Sequence, residues 1–174
     1  MNILDKIVLR KKEEVEMAKS KVSIKELSSS IYFERQPYSF RQFLLDEKCT
    51  GIIAEFKRRS PSKGVINDHS TVEEVTTAYA AAGASALSVL TDTDFFGGQQ
   101  ADVLKARAVN NIPILRKEFI VDEYQLLEAK AMGADIILLI AAVLTPKEIV
   151  TLTATAKSLG LNVLLEVHNL EELK

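Results

Sequence analysis

Few residues of this sequence belong to the types that build disulfide frameworks or metal centres. Its 174 residues include one cysteine, Cys49, and two histidines, His69 and His168. A single thiol cannot close an internal disulfide, and such sparing use of cysteine is typical of proteins from a reducing cytoplasm. Zinc sites are built mainly from several Cys and His ligands, so the composition predicts a protein without a bound metal.

The sequence also has no long hydrophobic run, no targeting segment and no excess of one charge. Its longest strongly apolar stretch, 136–144, is too short to span a bilayer, and the N-terminus lacks the cationic and then apolar order of a signal peptide. Lys and Arg number 22 against 24 Asp and Glu, which leaves no basic surplus to attract nucleic acid or an anionic membrane. We therefore expect a cytoplasmic protein with no nucleic-acid and no membrane partner.

The residues that are present divide the chain into two regions. With 47% hydrophobic residues, the sequence can bury a substantial core. Residues 1–48 predict a helical extension, with short helices over 24–30 and 39–45 that are separated near Pro37. Its first helix carries an imperfect apolar stripe beside a charged face, made of Ile3, Leu4, Ile7, Val8, Lys11, Val15 and Met17. We expect this extension to cover an end of the domain rather than to carry catalysis.

From residue 49 onward, a unit of apolar strand, loop, amphipathic helix and glycine recurs. The predicted strands are 52–57, 86–91, 112–119, 135–141 and 162–168. They are β-branched and leucine-rich runs, which is typical of parallel strands that are buried on both faces of a sheet. This second region, 49–174, is therefore predicted to contain five βα units of one parallel sheet.

Signals for the start and end of helices lie between these strands. Ser70 with Glu73, and Thr145 with Glu148, match the capping box, and 122–125 is a looser version of it. The predicted ends carry a glycine suited to the left-handed cap, namely Gly83, Gly133 and Gly160.

Two α/β architectures fit this alternation, a doubly wound sheet and a (β/α)₈ barrel. Segment 57–64 follows the first strand and contains one glycine, so the dinucleotide-binding glycine fingerprint is absent. Charged residues lie late on several strands, and barrels gather their catalytic groups at the carboxyl ends of strands. This placement favours the (β/α)₈ TIM-barrel type.

The first strand and the loop after it, 52–64, carry the strongest local pattern. Ile53, Glu55 and Lys57 share one face because side chains alternate along a strand. Two charges in a buried strand are costly unless they are paired or used in function. The loop is rich in cations and hydroxyls, as an anion-binding loop is. The plainer alternative is a buried ion pair that is followed by an ordinary basic turn.

Two further strands and one loop extend this pattern into a candidate site. Lys117 and Phe119 lie on one face of the third strand, and Glu166 lies late on the fifth, on the same face as His168. Loop 91–98 carries two phenylalanines and two consecutive glycines. Together, these groups could supply an acid, a base and a wall for an aromatic ligand. Each residue taken alone would be more typical of a structural role.

Several ordered blocks of the sequence resemble the indole-3-glycerol phosphate synthase family. They are 53–62 (IAEFKRRSPS), 88–92 (SVLTD) with 95–98 (FFGG), 113–120 (PILRKEFI), 133–140 (GADIILLI) and 164–168 (LLEVH). The helical N-terminal extension is also similar to that of the family. The resemblance implies a (β/α)₈ barrel enzyme of tryptophan biosynthesis without a cofactor. Such an enzyme closes the ring of 1-(2-carboxyphenylamino)-1-deoxyribulose 5-phosphate and releases carbon dioxide and water.

The resemblance also implies roles for individual positions. Lys117 corresponds to the general acid that assists the substrate carbonyl, and Glu166 to the general base of the later dehydration. Glu55 and Lys57 resemble the pair on the first strand that positions substrate and takes part in proton transfer. The implied substrate-binding residues are Ser60 near the substrate, and Phe96, Phe119 and Leu138 around the anthranilate ring.

The chain is shorter than a complete barrel of this family. A (β/α)₈ barrel needs about 250 residues, whereas five units are predicted here, and the sequence stops within the predicted fifth helix. The family's glycine-rich phosphate-binding loops belong to later units, so we expect an N-terminal fragment with impaired or no activity. Unpaired first and fifth strands should favour self-association. Two alternatives are a non-catalytic folding or assembly module and a related sugar-phosphate isomerase or aldolase barrel.

Overall fold

Helices and strands alternate along the chain in the computed structural model, which describes residues 2–173. The helices are α1 (Ile3–Lys21), α2 (Ile24–Ser28), α3 (Phe40–Leu44), α4 (Val72–Ala81), α5 (Gln100–Val109), α6 (Tyr124–Ala131) and α7 (Pro146–Ser158). The strands are β1 (Ile53–Phe56), β2 (Arg59–Ser60), β3 (Gly64–Val65), β4 (Ala86–Leu90), β5 (Ile114–Lys117), β6 (Ile136–Ile140) and β7 (Asn162–Glu166).

Five of the strands form one parallel sheet in the order β1-β4-β5-β6-β7. These are the five predicted strands, each somewhat shorter than expected, and the predicted parallel sheet is confirmed. A helix follows each of the first four of them, which is the repeat of a TIM-barrel-type α/β fold. The third predicted strand, 112–119, is reduced to β5, since Glu118 beyond it turns to accept a hydrogen bond from Thr91.

The loop after β1 contains a small hairpin that the sequence did not reveal. Strands β2 and β3 pair antiparallel, with Arg59 opposite Val65 and Ser60 opposite Gly64. Gly64 has a φ of 66°, a left-handed conformation that glycine adopts without strain. The loop therefore has backbone pairing of its own.

The two faces of the sheet bury different sets of side chains. Leu87, Val89, Ile114, Ile137 and Leu139 face the helices and are fully buried. The opposite face buries the smaller cluster Ala86, Leu115, Ile136, Leu138 and Ile140, against which Phe40 and Phe119 pack. Burying a side chain of this size contributes about 1.5–3 kcal/mol, so the alternation fixes which face each strand residue occupies.

The N-terminal extension contacts both ends of the sheet. At the amino ends of the strands, the Arg35 guanidinium donates to Asp135 Oδ1 at 2.6 Å, and Phe40 packs on the smaller cluster. At the carboxyl ends, Lys11 of α1 lies 3.0 Å from both Asp92 and Glu118. The segment around Arg35 and Phe40 thus packs at the amino ends of the strands, and α1 makes a contact at the carboxyl ends.

The helix caps confirm most of the predicted boundaries and correct one. Thr145 and Glu148 form the predicted capping box, with Pro146 in the first turn. The predicted box of Ser70 and Glu73 is wrong by one residue, because Thr71 and Glu74 form it. This frame buries Val72 at the helix start, while the Ser70 N–H donates to Asn67 instead.

The looser box at 122–125 is present in modified form, since the Gln125 side chain accepts from the Asp122 N–H at 3.1 Å. The three predicted end glycines have positive φ, namely Gly83 at 87°, Gly133 at 82° and Gly160 at 76°. Within the described residues, no helix combines the length and the apolar character that crossing a membrane requires.

Candidate active site

A cavity of about 200 Å³ opens at the carboxyl ends of the parallel strands. Its lining comes from all five strands and from the loops that follow β1, β4 and β5. The lining residues are Glu55, Lys57, Leu90, Asp92, Phe96, Lys117, Glu118, Phe119, Leu138, Ile140 and Glu166. Every predicted site residue except Ser60 is therefore brought to one place, although they are separated by up to about a hundred residues in sequence.

The charged residues of the first strand form a pair on the cavity wall. Lys57 Nζ donates to Glu55 Oε1 at 2.8 Å, and both side chains remain about one-third exposed. They share a face because they are two residues apart on an extended segment. The pair is satisfied by itself and is still accessible from the cavity.

A second, longer pair lies across the sheet from the first. Lys117 Nζ of β5 lies 3.5 Å from Glu166 Oε2 of β7, and each side chain is 33% exposed. His168 Nε2 lies 3.4 Å from the other oxygen of Glu166. At 3.5 Å the ammonium of Lys117 is weakly engaged, which leaves it able to donate to a ligand in the cavity.

The apolar part of the cavity consists of two phenylalanine rings over an aliphatic floor. The ring centroids of Phe96 and Phe119 lie 6.0 Å apart at an angle of 37°. Leu138, 2% exposed, lies in the same lining. Rings at this spacing and angle can accept a third aromatic ring in a tilted or edge-on arrangement.

The loop that carries Phe96 is held by hydrogen bonds and by a close backbone approach. Asp92 Oδ1 accepts from the N–H groups of Phe95 at 2.8 Å and of Phe96 at 3.2 Å. A Cβ at Gly98 would lie 2.3 Å from the Leu90 carbonyl oxygen, so only glycine fits where the loop returns past β4. The double glycine of the sequence therefore has a geometric reason.

Ser60 lies outside this cavity, in the β2–β3 hairpin. Its hydroxyl accepts from the Lys63 N–H at 3.2 Å and lies 3.4 Å from the Ser62 hydroxyl. The hairpin is nevertheless tied to the aromatic loop, because Arg59 donates to the carbonyls of Thr93 at 2.9 Å and Asp94 at 2.6 Å.

Both arginines of this loop have partners within the protein. Arg58 donates to both oxygens of Asp102, one bond at 2.9 Å, and its guanidinium lies 4.9 Å from the centre of the Phe56 ring. The hydrogen bonds to Asp102 raise the pKa of Arg58. Its charge is thus paired with Asp102 of α5, and Arg58 does not line the cavity.

Sequence reasoning missed Asp92 and Glu118 in the lining, and Lys11 behind them. If the strand continued, the alternation of side chains would place Glu118 on the face opposite to Lys117. The strand ends at Lys117, so the alternation does not apply to Glu118. One feature of the sequence pointed to Lys11, because it is a charged residue within the apolar stripe of α1. Burial lowers its pKa, but Glu118, Glu14 and Asp92 outweigh this, so the pKa of Lys11 is raised overall.

This arrangement is equipped for acid–base chemistry on an aromatic substrate. An ammonium beside a reacting carbonyl can stabilise the negative charge that develops on oxygen. A carboxylate on the far side can accept a proton, and the phenylalanines can hold a ring between these groups. Among residues 2–173, no three His, Cys, Asp or Glu side chains converge as metal ligands.

Comparison with known proteins agrees with the resemblance found in the sequence. A family model described as indole-3-glycerol phosphate synthase matches residues 4–174. An indole-3-glycerol phosphate synthase of Bacteroides thetaiotaomicron is 49% identical over 172 residues, which cover 99% of this chain and 66% of the relative. The chain thus spans just under two thirds of that relative's length.

The match over nearly the whole sequence shows that this chain belongs to the indole-3-glycerol phosphate synthase family.

Proposed function

We propose that the cavity is the substrate site of an indole-3-glycerol phosphate synthase. The reaction is the ring closure, decarboxylation and dehydration of 1-(2-carboxyphenylamino)-1-deoxyribulose 5-phosphate in tryptophan biosynthesis. The observation that carries this proposal is the convergence of Lys117, Glu166 and the Glu55–Lys57 pair around the wall of Phe96 and Phe119. These groups match the three needs of the reaction, which are a general acid, a general base and a place for an aromatic ring.

Lys117 is proposed as the general acid of ring closure. The ring carbon that bears the carboxylate attacks the substrate ketone, and negative charge grows on the ketone oxygen. An ammonium directed at that oxygen lowers the barrier and can deliver the proton. Lys117 suits this role because its contact with Glu166, at 3.5 Å, is long enough to be exchanged for one with substrate.

Glu166 is proposed as the base of the dehydration, with Glu55 and Lys57 as substrate-positioning and proton-transfer groups. Loss of carbon dioxide restores the aromatic ring, and the remaining step expels a hydroxyl as water and removes a proton from carbon. These two events need an acid and a base that are held apart. The separate pairs Lys117–Glu166 and Lys57–Glu55 supply both types of group on different strands.

The aromatic ring is proposed to lie against Phe96, Phe119 and Leu138. Its carboxylate then lies among lysines, which favour an anion until carbon dioxide leaves. Ser60 is proposed to contribute near the substrate from the hairpin, which Arg59 connects to the aromatic loop. No cofactor takes part in this scheme.

Turnover by this chain is proposed to be impaired relative to that of longer family members. The match covers 66% of the Bacteroides relative, and a phosphate is usually held by backbone N–H groups at helix starts. The test is indole fluorescence from the carboxyphenylamino substrate, with that relative assayed in parallel. We expect slower or undetectable product formation from this chain, and a rate equal to the relative's would contradict the impairment.

A second candidate function is an assembly module, which the edges of the sheet favour. Strands β1 and β7 each pair on one side only within residues 2–173. Ile52, which directly precedes β1, is 58% exposed, and Leu165 within β7 is 42% exposed. Unpaired strand edges next to exposed apolar residues favour pairing with another chain. We therefore propose self-association, to be measured by light scattering, where a strictly monomeric folded species would contradict it.

A cytoplasmic location and a phosphorylated small-molecule substrate belong to the same proposal. The alternative of an isomerase or aldolase is disfavoured by the family match. If a Schiff base formed on Lys57 or Lys117, borohydride would trap it as a covalent adduct, and we expect no such adduct by mass spectrometry.

A further inference from the structure

Lys11 of α1 is buried behind the cavity, where it contacts three carboxylates. Its Nζ lies 2.6 Å from Glu14, 3.0 Å from Asp92 and 3.0 Å from Glu118. The side chains of Lys11, Asp92 and Glu118 are 5%, 1% and 3% exposed. Buried ions are costly unless they are paired, so the ammonium of Lys11 stabilises both carboxylates where they lie.

Each of the two buried carboxylates also holds the backbone of one cavity phenylalanine. Asp92 accepts from the Phe96 N–H at 3.2 Å, and Glu118 accepts from the Phe119 N–H at 2.9 Å. These two phenylalanines form the pair with centroids 6.0 Å apart. One lysine therefore connects, through one carboxylate each, to both rings of the aromatic wall.

The other charges around this cluster do not replace Lys11. The nearest additional cation, Arg116, lies 3.9 Å from Glu118 and donates to Glu128 at 3.0 Å. Glu14 contacts Lys11 but forms no hydrogen bond to Asp92, Glu118 or either phenylalanine among the described residues. Arg10 of α1 also donates to Asp94 of the Phe96 loop at 2.7 Å, but both of these side chains are exposed. The link from α1 to the two buried carboxylates is made by the Lys11 ammonium.

We propose that Lys11 is a positioning residue for the aromatic ring of the substrate, and that it acts through Asp92 on Phe96 and through Glu118 on Phe119. This inference rests on the proposed function for the identity of the ligand, a 2-carboxyphenylamino group. The positioning itself is a property of the protein alone. Helix α1 would thus contribute to the site indirectly, because none of its side chains lines the cavity.

The test compares Lys11→Gln with Tyr124→Phe. The Tyr124 hydroxyl donates to the carbonyls of Ala18 at 3.3 Å and Val22 at 2.8 Å, so its loss loosens α1 without touching Lys11. Amide hydrogen exchange at Phe96 and Phe119 is measured by NMR under native conditions. The affinity for anthranilate, the probe for the aromatic part of the substrate, is measured by its fluorescence.

Lys11→Gln should speed exchange at both amides by about tenfold or more and weaken anthranilate binding by about as much, because each amide loses a fixed acceptor. Tyr124→Phe should change neither quantity more than about twofold, since it removes only the hydroxyl's contacts with the C-terminal end of α1 and leaves Asp92 and Glu118 paired. Unchanged exchange in Lys11→Gln would overturn the proposal. Equal effects in both variants would also overturn it, because they would show that Lys11 only anchors the helix.

A second variant decides the matter if Lys11→Gln does not fold. Lys11→Gln combined with Glu118→Gln removes one buried charge of each sign, and the new amide oxygen can still accept from Phe119. Faster exchange at Phe96 with unchanged exchange at Phe119 is expected, and unchanged exchange at Phe96 would refute the proposal. If the parent protein fails to bind anthranilate, the proposed function fails, while the exchange rates still report on positioning by Lys11.

Discussion

The ammonium of Lys117 lies 3.5 Å from Glu166 Oε2. The two residues come from β5 and β7, the strands on either side of β6. Both residues project from the last position of their strands, and the inward face of β6 between them carries Leu138. An acid and a base are thus set on two sides of an apolar floor. This relationship is the geometric basis of the chemistry proposed for the cavity.

Replacing Lys117 tests that chemistry without disturbing the core. Lys117→Met should lower turnover by about 10²–10⁴-fold, the usual contribution of a positioned general acid or base. The fold should persist, because the side chain is one-third exposed and its ion pair is long. Product fluorescence and circular dichroism measure the two effects. Lys105→Met, which changes an exposed lysine of α5, is the control. Because turnover by the parent is expected to be slow, the variants are compared at high enzyme concentration, and measurable turnover that is equal in both would contradict the role.

Removing the charge of Asp135 should weaken the junction between the extension and the sheet. Asp135 is fully buried and accepts from Arg35 at 2.6 Å and Arg107 at 2.8 Å. Asp135→Ala leaves these cations without their partner, which typically costs about 3–5 kcal/mol in the free energy of unfolding. Urea denaturation measures the loss. Asp68→Ala, at an exposed site, should stay close to the parent, and similar midpoints for the two variants would be inconsistent with a structural role for Asp135.

Alanine substitutions at Gly98 and Gly51 test two different reasons for glycine, namely a steric overlap at Gly98 and a left-handed backbone at Gly51. Gly98→Ala should destabilise the protein and release the Phe96 loop, because its Cβ would lie 2.3 Å from a backbone oxygen. Gly51 has a φ of 73°, and a Cβ added there would meet no atom within 4 Å, so Gly51→Ala should cost only about 1–2 kcal/mol of left-handed strain. Urea midpoints and anthranilate affinity are the readouts. A Gly98→Ala protein that binds anthranilate as the parent does would count against the close approach.

The cap of α7 predicts a pH dependence with a definite sign. The Thr145 N–H, and then its hydroxyl, bind the Glu148 carboxylate and hold the pKa of Glu148 below its ordinary value of 4.5. A lowered pKa in the folded state stabilises the protein above pH 4.5, and this stabilisation is lost as the pH falls through the folded-state pKa. The urea midpoint of Glu148→Gln should therefore fall less between neutral and acid pH than that of Glu47→Gln, an exposed control. Parallel pH profiles would argue against the cap as the cause.

Much of the fold and the site could be predicted from the sequence, because both depend on alternation along parallel strands. That rule, with the expected gathering of strand ends, placed Glu55, Lys57, Lys117 and Glu166 together, and the structure brings them into one cavity with Leu138, which the resemblance had implied. The rule stops where a strand stops. Glu118, one residue beyond β5, turns inward to Lys11, and no strand periodicity describes such a residue.

Other features depend on contacts between distant segments and could not be predicted locally. Both Ser70 and Thr71 can cap a helix, and the burial of Val72 and Thr76 against the core selects Thr71. Ser60 was placed near the substrate by resemblance, whereas the unpredicted hairpin gives its hydroxyl partners of its own. Lys11 stood out only as a cation in an apolar stripe, and its partners lie about eighty and a hundred residues away.

The most direct test of the central claim is to titrate 1-(2-carboxyphenylamino)-1-deoxyribulose 5-phosphate into the isotope-labelled protein and to follow the NMR signals of the cavity residues. We expect saturable shifts at Phe96, Phe119, Leu138 and Lys117. Lys117→Met should weaken the binding without abolishing the shifts of the two rings. Shifts that avoid these residues, or none at saturating substrate in a folded sample, would contradict the assignment of this cavity as the substrate site.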